Sequence, residues 1–206
     1  MKKVCHKFDL LNDVNPWESF WEIYQKYNSH YWKHRQELNL NREAILEHSF
    51  EKTLNKLNFE KLLSKSLADH YWSYFCSTYY YEENAIELIS YLHPKYSLGL
   101  ITNGYSDSQR KRLEVSGLIP YLSSIVISDE VKVMKPNKQI FDISFTQLNR
   151  LNDEVLYIGD SILHDFQGAK NAEIDFCFYN RNNLKIIGHE EPKYIINSLE
   201  ELFNIL

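Results

Sequence analysis

The chain has 206 residues, 44% hydrophobic and 25% charged, with a formal charge of −5. It is long enough to bury a core without disulfide or metal staples. It has no basic stripe, and no apolar run nears the roughly 18 residues that span a bilayer, so nucleic acid and membrane are not expected partners. The three cysteines, Cys5, Cys76 and Cys177, show no zinc spacing and read as reduced thiols of a cytoplasmic protein. Positive charge in residues 1–7 is followed by no apolar stretch, so no signal peptide is expected.

Residues 1 to about 78 contain no glycine, and their apolar residues recur at helical spacing, as in Trp17, Phe20, Trp21, Tyr24, Tyr27 and Tyr31. Asn15-Pro16 reads as a helix start with Pro16 at the first helical position, and Asn41 as a second N-cap. This segment is expected to be an all-helical unit of three or four helices. From about residue 82 the rhythm changes. A helix over 82–92 leads to a short apolar run over 96–101 that ends in Thr102-Asn103-Gly104. Residues 106–115 read as a helix capped by Gly117, 124–127 as a strand, and 136–151 as a helix. A third strand over 155–158 ends at Gly159-Asp160, followed by a helix over 163–172, a strand over 174–179 and a closing helix over 199–206. Strands alternating with helices imply parallel βαβ units, a sheet covered on both faces, and ligands outside the carboxyl ends of the strands. Thr102-Asn103-Gly104, Asp129-Glu130 and Gly159-Asp160 all fall at such ends.

Three segments carry candidate chemistry. The hydroxyl and free N–H groups of Thr102-Asn103-Gly104 suit a phosphate-sized anion, although a plain turn has the same sequence. Lys135 stands before a helix read as starting at Pro136. There a cation opposes the helix dipole, which argues for a purpose beyond a solvated surface charge. Asp160 and Asp165 offer hard oxygen ligands for Mg²⁺, or they cap the following helix. The eight histidines, His164 and His189 among them, show no ligand spacing with one another, and the four tryptophans read as core of the helical segment.

Taken in order, Thr102 at a strand end, Lys135-Pro136 with Ile140-Phe141, and Gly159-Asp160-Ser161 through Asp165-Phe166-Gln167-Gly168-Ala169 resemble motifs II, III and IV of the haloacid dehalogenase-like superfamily. The resemblance covers residues 79 to about 183. The helical segment before it resembles the cap of the subfamily whose cap follows motif I. The stretch 100–105 with Gln109, Leu113 and Ser116-Gly117-Leu118, together with the Trp32 region, is similar to the noncanonical pyrimidine 5′-nucleotidase branch. The resemblance implies an α/β fold: a Rossmann-like three-layer parallel-sheet core over 79–206 and an all-helical cap over 1–78. It also implies a Mg²⁺-dependent phosphate monoester hydrolase acting on a small phosphorylated metabolite such as a nucleoside monophosphate, with a monomer as the default. Thr102, Asn103, Gly104 and Lys135 would bind phosphate, Lys135 and Asp160 would serve catalysis, and Asp160 with Asp165 would hold Mg²⁺. A non-catalytic phosphate-binding protein is the alternative, and a carbon–halogen dehalogenase is disfavoured by the retained acidic pair.

Motif I of that superfamily, an Asp-x-Asp at the end of a central strand, has no counterpart here. Asp9 in Phe8-Asp9-Leu10-Leu11 is the nearest candidate nucleophile, but Val4, Phe8 and Leu11 follow helical spacing, and residues 1–11 are expected to be helix. On this reading activity is impaired, as by truncation, a misplaced start or a true pseudoenzyme. The absent strand would fall between those ending at Thr102 and Asp160. Its place should show as a gap of about twice the 4.8 Å strand spacing, a replacement strand or a fragile fold.

Overall fold

A computed structural model describes residues 1–185 and 191–206; His189 lies outside them. The chain divides into two compact units, Met1–Ser77 and Thr78–Leu206.

The first unit is helical, with α1 (Lys2–Lys7), α2 (Trp17–Lys33), α3 (Arg42–Lys56) and α4 (Ser64–Cys76). Its core gathers Phe20, Tyr24, Phe50, Leu54 and Leu67, and Trp17, Trp21 and Trp72 pack against it. Tyr24 and Phe50 meet at 4.8 Å between ring centres. Asn41 caps α3 as its sequence suggests, accepting from Ala44 N at 2.9 Å. Pro16, by contrast, is the residue before α2 and not its first turn. Helix α1 ends at Lys7, and Asp9 follows in a turn with φ of 52°, exposed to solvent. It therefore stands on no strand end, which is where a nucleophile of the resembled kind would stand.

The second unit contains β1 (Gly99–Thr102), β2 (Ser124–Ile127), β3 (Leu156–Gly159), β4 (Asp175–Tyr179) and β5 (Tyr194–Ile196). Helices α5 (Ala85–Leu92), α6 (Ser106–Ser116), the short α7 (Ser128–Val131), α8 (Lys138–Leu148) and α9 (Gln167–Asn171) connect them, and a 3₁₀ segment, Leu199–Asn204, follows β5. Every strand pairing is parallel. Two apolar clusters pack on opposite sides of the strands. One joins Leu88 and Leu92 of α5 to Cys177, Ile196 and Leu202; the other joins Ile140, Phe141 and Phe145 of α8 to Val126 and Ala172. Period-2 alternation produces this division: Cys177 faces one layer while Phe176 and Phe178 face the other. The result is the three-layer Rossmann-like arrangement that the alternating pattern implies.

The sheet is divided. Strands β1 and β2 form one part, and β3, β4 and β5 the other, with no strand between β1 and β3 among the described residues. Of the outcomes expected for a missing central strand, the gap is the one observed. A cavity of about 740 Å³ lies there, lined by Gly99, Ile101, Leu156 and Ile158 with Leu148 and Leu206.

Three sequence expectations shift. The helix expected from Pro136 begins at Lys138, with Asn137 as N-cap accepting from Gln139 N at 2.9 Å. The cap side chain, and not the proline, fixes the start. The helix expected from residue 82 begins at Ala85, after Asn84 in a left-handed conformation. The segment after Gly159-Asp160 opens as a π-helical turn, Ile162–Phe166, before α9.

Candidate active site

The site is built where β1 and β3 end. Lys135 arrives from the loop between α7 and α8 and is held at both its backbone and its ammonium. Asn103 grips the backbone: its Oδ1 accepts from Lys135 N at 2.8 Å, and its Nδ2 donates to Lys135 O at 3.0 Å. Lys135 Nζ donates to Ile101 O at 3.2 Å, to the Tyr157 hydroxyl at 2.9 Å and to Asp165 Oδ1 at 2.6 Å. An ammonium has three hydrogens, and all three are directed to protein oxygens. Thr102 lies between two residues bonded to Lys135, and its hydroxyl has no protein partner among the described residues. The first two sequence-predicted segments thus converge.

Asp165 joins the third. It is 4% exposed, and both its oxygens are engaged. Oδ1 takes Lys135 and the Tyr157 hydroxyl, the latter at 3.0 Å, while Oδ2 accepts from Ser161 N at 3.0 Å. A buried carboxylate needs such company, because an unpaired charge out of water is costly. Gly159 makes the approach possible: a Cβ there would stand 2.6 Å from the Cβ, Cγ and Oδ2 of Asp165. Asp160, the next residue, is exposed at the carboxyl end of β3. It lies near enough for its charge to add to the perturbation of Tyr157. Burial first, then the charge of Asp165, pushes the Tyr157 phenol well above its ordinary range. The phenol therefore stays protonated and donates to Asp165.

The two acids are not equivalent. Asp165 anchors Lys135, and Asp160 is the carboxylate turned to solvent. The side chain of Asn103 is likewise occupied with Lys135, which leaves its N–H group for an anion. Gly104 follows, with the flexible end of Gln109 lying over it. Asp129 accepts from Ser106 N at 3.1 Å at the start of α6, and Glu130 pairs with Arg110 at 2.6 Å. That acidic pair is structural. No described histidine is buried, and His164 is exposed.

Sequence reading passed over Tyr157 altogether. Its one signal was a hydroxyl-bearing residue inside the otherwise aliphatic Val155-Leu156-Tyr157-Ile158. The positioning role of Asn103 left no local trace either, since its partner lies 32 residues away.

Among the described residues no three His, Cys, Asp or Glu side chains converge as a metal cage. Mg²⁺ needs none: it takes one or two carboxylates and completes its shell with water and phosphate oxygens. The exposed Asp160 fits that demand by its hard-oxygen chemistry, and Asp165, with both oxygens occupied, fits it less well.

Residues 14–179 match the family described as haloacid dehalogenase-like hydrolase. The HAD-hydrolase YfnB of Bacillus subtilis is 30% identical over 89% of this chain and 78% of its own length. The pyrimidine 5′-nucleotidase YjjG of Escherichia coli is 37% identical over 59% of this chain and 55% of its own. The pyrimidine 5′-nucleotidase PynA of Streptococcus pneumoniae is 28% identical over 92% and 80%. A crystal structure of YfnB bound to magnesium superposes with a TM-score of 0.78 at 27% identity, covering 99% of this chain and 88% of that one.

Proposed function

We propose that this chain, which belongs to the haloacid dehalogenase-like hydrolases, is a Mg²⁺-assisted phosphate monoester hydrolase acting on nucleoside monophosphates or similar small phosphates, with its activity impaired because no aspartate nucleophile stands on a strand between β1 and β3 among the described residues. The observation that carries the reading is the convergence of Lys135 with the ends of β1 and β3. A fixed ammonium, a Thr102 hydroxyl with no partner among the described residues and the N–H groups of Asn103 and Gly104 make a preorganised site for a phosphoryl group. Relatives described as pyrimidine 5′-nucleotidases support the choice of leaving group.

In this reading Thr102 and the following N–H groups hold the non-bridging oxygens. Lys135 offsets their charge, and Asn103, Tyr157 and Asp165 keep it in place. Asp160 is the residue that would hold Mg²⁺, which when bound supplies further charge neutralisation at the phosphoryl oxygens. The division into a helical cap, Met1–Ser77, and an α/β core is part of the proposal, as are a small-metabolite substrate and a cytoplasmic setting.

One observation favours a second reading, that of a phosphate-binding protein without turnover. No aspartate stands on a strand between β1 and β3 among the described residues, and Asp165 is neutralised by Lys135. Release of inorganic phosphate from pyrimidine nucleoside monophosphates, with and without Mg²⁺, separates the two. The hydrolase reading expects weak Mg²⁺-dependent release that Lys135→Ala and Asp160→Asn abolish. Binding of phosphate without release supports the second reading, and neither binding nor release refutes both.

A further inference from the structure

We propose that His30 and His34, one turn apart at the C-terminal end of α2, form a binding site for a late first-row divalent cation, Cu²⁺ or Ni²⁺, which clips the last turn of the helix. The site belongs to the helical unit alone and stands apart from the phosphatase reading.

In sequence the histidines read as showing no ligand spacing; the structure corrects that for this pair. Helix α2 runs Trp17–Lys33 with His34 as its C-cap residue, so His30 and His34 stand one above the other on one face. Their ring centres are 4.5 Å apart, and the ring planes meet at 39°. Two imidazoles bound at right angles to one cation, each through a bond of about 2.0–2.1 Å, have ring centres about 4.5 Å apart. In the tetrahedral shell that Zn²⁺ prefers, the centres stand about 5.2 Å apart. The pair is therefore spaced for right-angled positions of a square-planar or tetragonal shell, the geometry of Cu²⁺ and Ni²⁺.

The chemistry of the rings agrees. His34 Nδ1 lies 2.8 Å from His30 O. A carbonyl oxygen only accepts, so Nδ1 carries the hydrogen, and in the neutral ring Nε2 keeps its lone pair for a metal. Metal-binding histidines are held in this way, with the second ring N–H donated to a backbone carbonyl or a carboxylate. The same carbonyl accepts from His34 N at 3.1 Å, so the backbone and the ring are both fixed before a cation arrives. His30 is exposed and His34 half-buried, which leaves the other positions of the shell to water. Among the described residues no third His, Cys, Asp or Glu completes a cage. Imidazole nitrogens without a carboxylate select a late transition metal over Mg²⁺ or Ca²⁺. The last carbonyls of α2 add the negative end of the helix dipole, which favours a cation there. Arg35 does not compete for the place, since its guanidinium donates to Trp32 O at 2.8 Å.

The test is titration of the full chain with Cu²⁺ and, in a parallel arm, with Ni²⁺, in a non-coordinating buffer with excess Mg²⁺ to fill hard oxygen sites. Calorimetry reads both arms, and electron paramagnetic resonance reads the donors around Cu²⁺. The expected result is uptake of one cation per chain ahead of any weaker binding, Cu²⁺ tighter than Ni²⁺, with two nitrogen donors in the Cu²⁺ spectrum. His30→Ala and His34→Ala should each weaken that binding by about tenfold or more, because a lone imidazole loses its intramolecular second donor. His34→Gln keeps a donor for the His30 carbonyl and separates loss of the cap from loss of the ligand; it should bind as weakly as His34→Ala. His48→Ala, at a histidine that lies 3.8 Å from Glu51, should leave the binding unchanged. Circular dichroism confirms that each variant is folded. Three results would overturn the proposal: uptake spread over several equivalent sites, affinity unchanged in His30→Ala and His34→Ala, or a loss in His48→Ala as large as in either.

Discussion

Replacing Asp165 by Asn removes the charge facing Lys135 while keeping the shape of the side chain. In the native chain the two groups meet at 2.6 Å, with side-chain exposures of 11% for Lys135 and 5% for Asp165. Removing one partner of a pair this buried leaves an uncompensated charge and costs about 3–5 kcal/mol. Against a total stability of about 5–15 kcal/mol, that lowers the folded-to-unfolded ratio by about a hundredfold or more. The molecule supplies its own control. Lys138 and Asp142 pair at 2.9 Å with nearly half of each side chain exposed, so Asp142→Asn should cost at most about 1 kcal/mol. Urea unfolding followed by circular dichroism measures the loss. Tryptophan fluorescence reports on the helical unit, because Trp17, Trp21, Trp32 and Trp72 all lie in it. A joint replacement, Lys135→Met with Asp165→Leu, should recover most of the stability and none of the phosphate affinity. If Asp165→Asn costs no more than Asp142→Asn, the pair is solvated and the account of the anchored lysine is wrong.

Further expectations concern the same scaffold. Gly159→Ala should displace Asp165 and cost about 1–3 kcal/mol in urea unfolding, with weakened phosphate binding as its functional sign. Asn103→Ala removes two bonds to the Lys135 backbone and should cost about 1–3 kcal/mol; unchanged stability and phosphate affinity would show that the clamp is dispensable. Arg110, through its bonds to Glu130, holds that carboxyl down to about 2. A depressed carboxyl stabilises the fold above its unfolded pKa, and the contribution is lost as pH falls through the folded value. The difference in melting temperature between the native chain and Glu130→Gln should therefore be largest above about pH 5 and vanish toward pH 2. Burial pushes the thiols of Cys5 and Cys177 up to about 11. Both should resist a thiol reagent at pH 8 until denaturant is added; rapid labelling of the folded chain would contradict their burial.

Local signals were legible and distant ones were not. The Asn41 cap, Gly117 at φ of 71° closing α6, and the bounds of β2 rest on neighbours within a few residues, and the sequence displays them. Strand β5 went unread because Tyr194-Ile195-Ile196 is short and gains its meaning only from pairing with Cys177, Phe178 and Tyr179. The site divides in the same way. Lys135 and Asp160 announce themselves by position beside helix starts and strand ends. Tyr157 and the side-chain roles of Asn103 and Asp165 depend on partners 22 to 32 residues from Lys135 in the chain. Sequence reading placed both acids on the metal; packing separates them, burying Asp165 against the lysine and leaving Asp160 in solvent.

A crystal structure of the chain grown with Mg²⁺ and tungstate, an anion shaped like phosphate, tests the central claim most directly. The account predicts the tungstate beside Thr102 Oγ1 and Lys135 Nζ, with Mg²⁺ on Asp160. Tungstate bound elsewhere, with those three residues untouched, would contradict it.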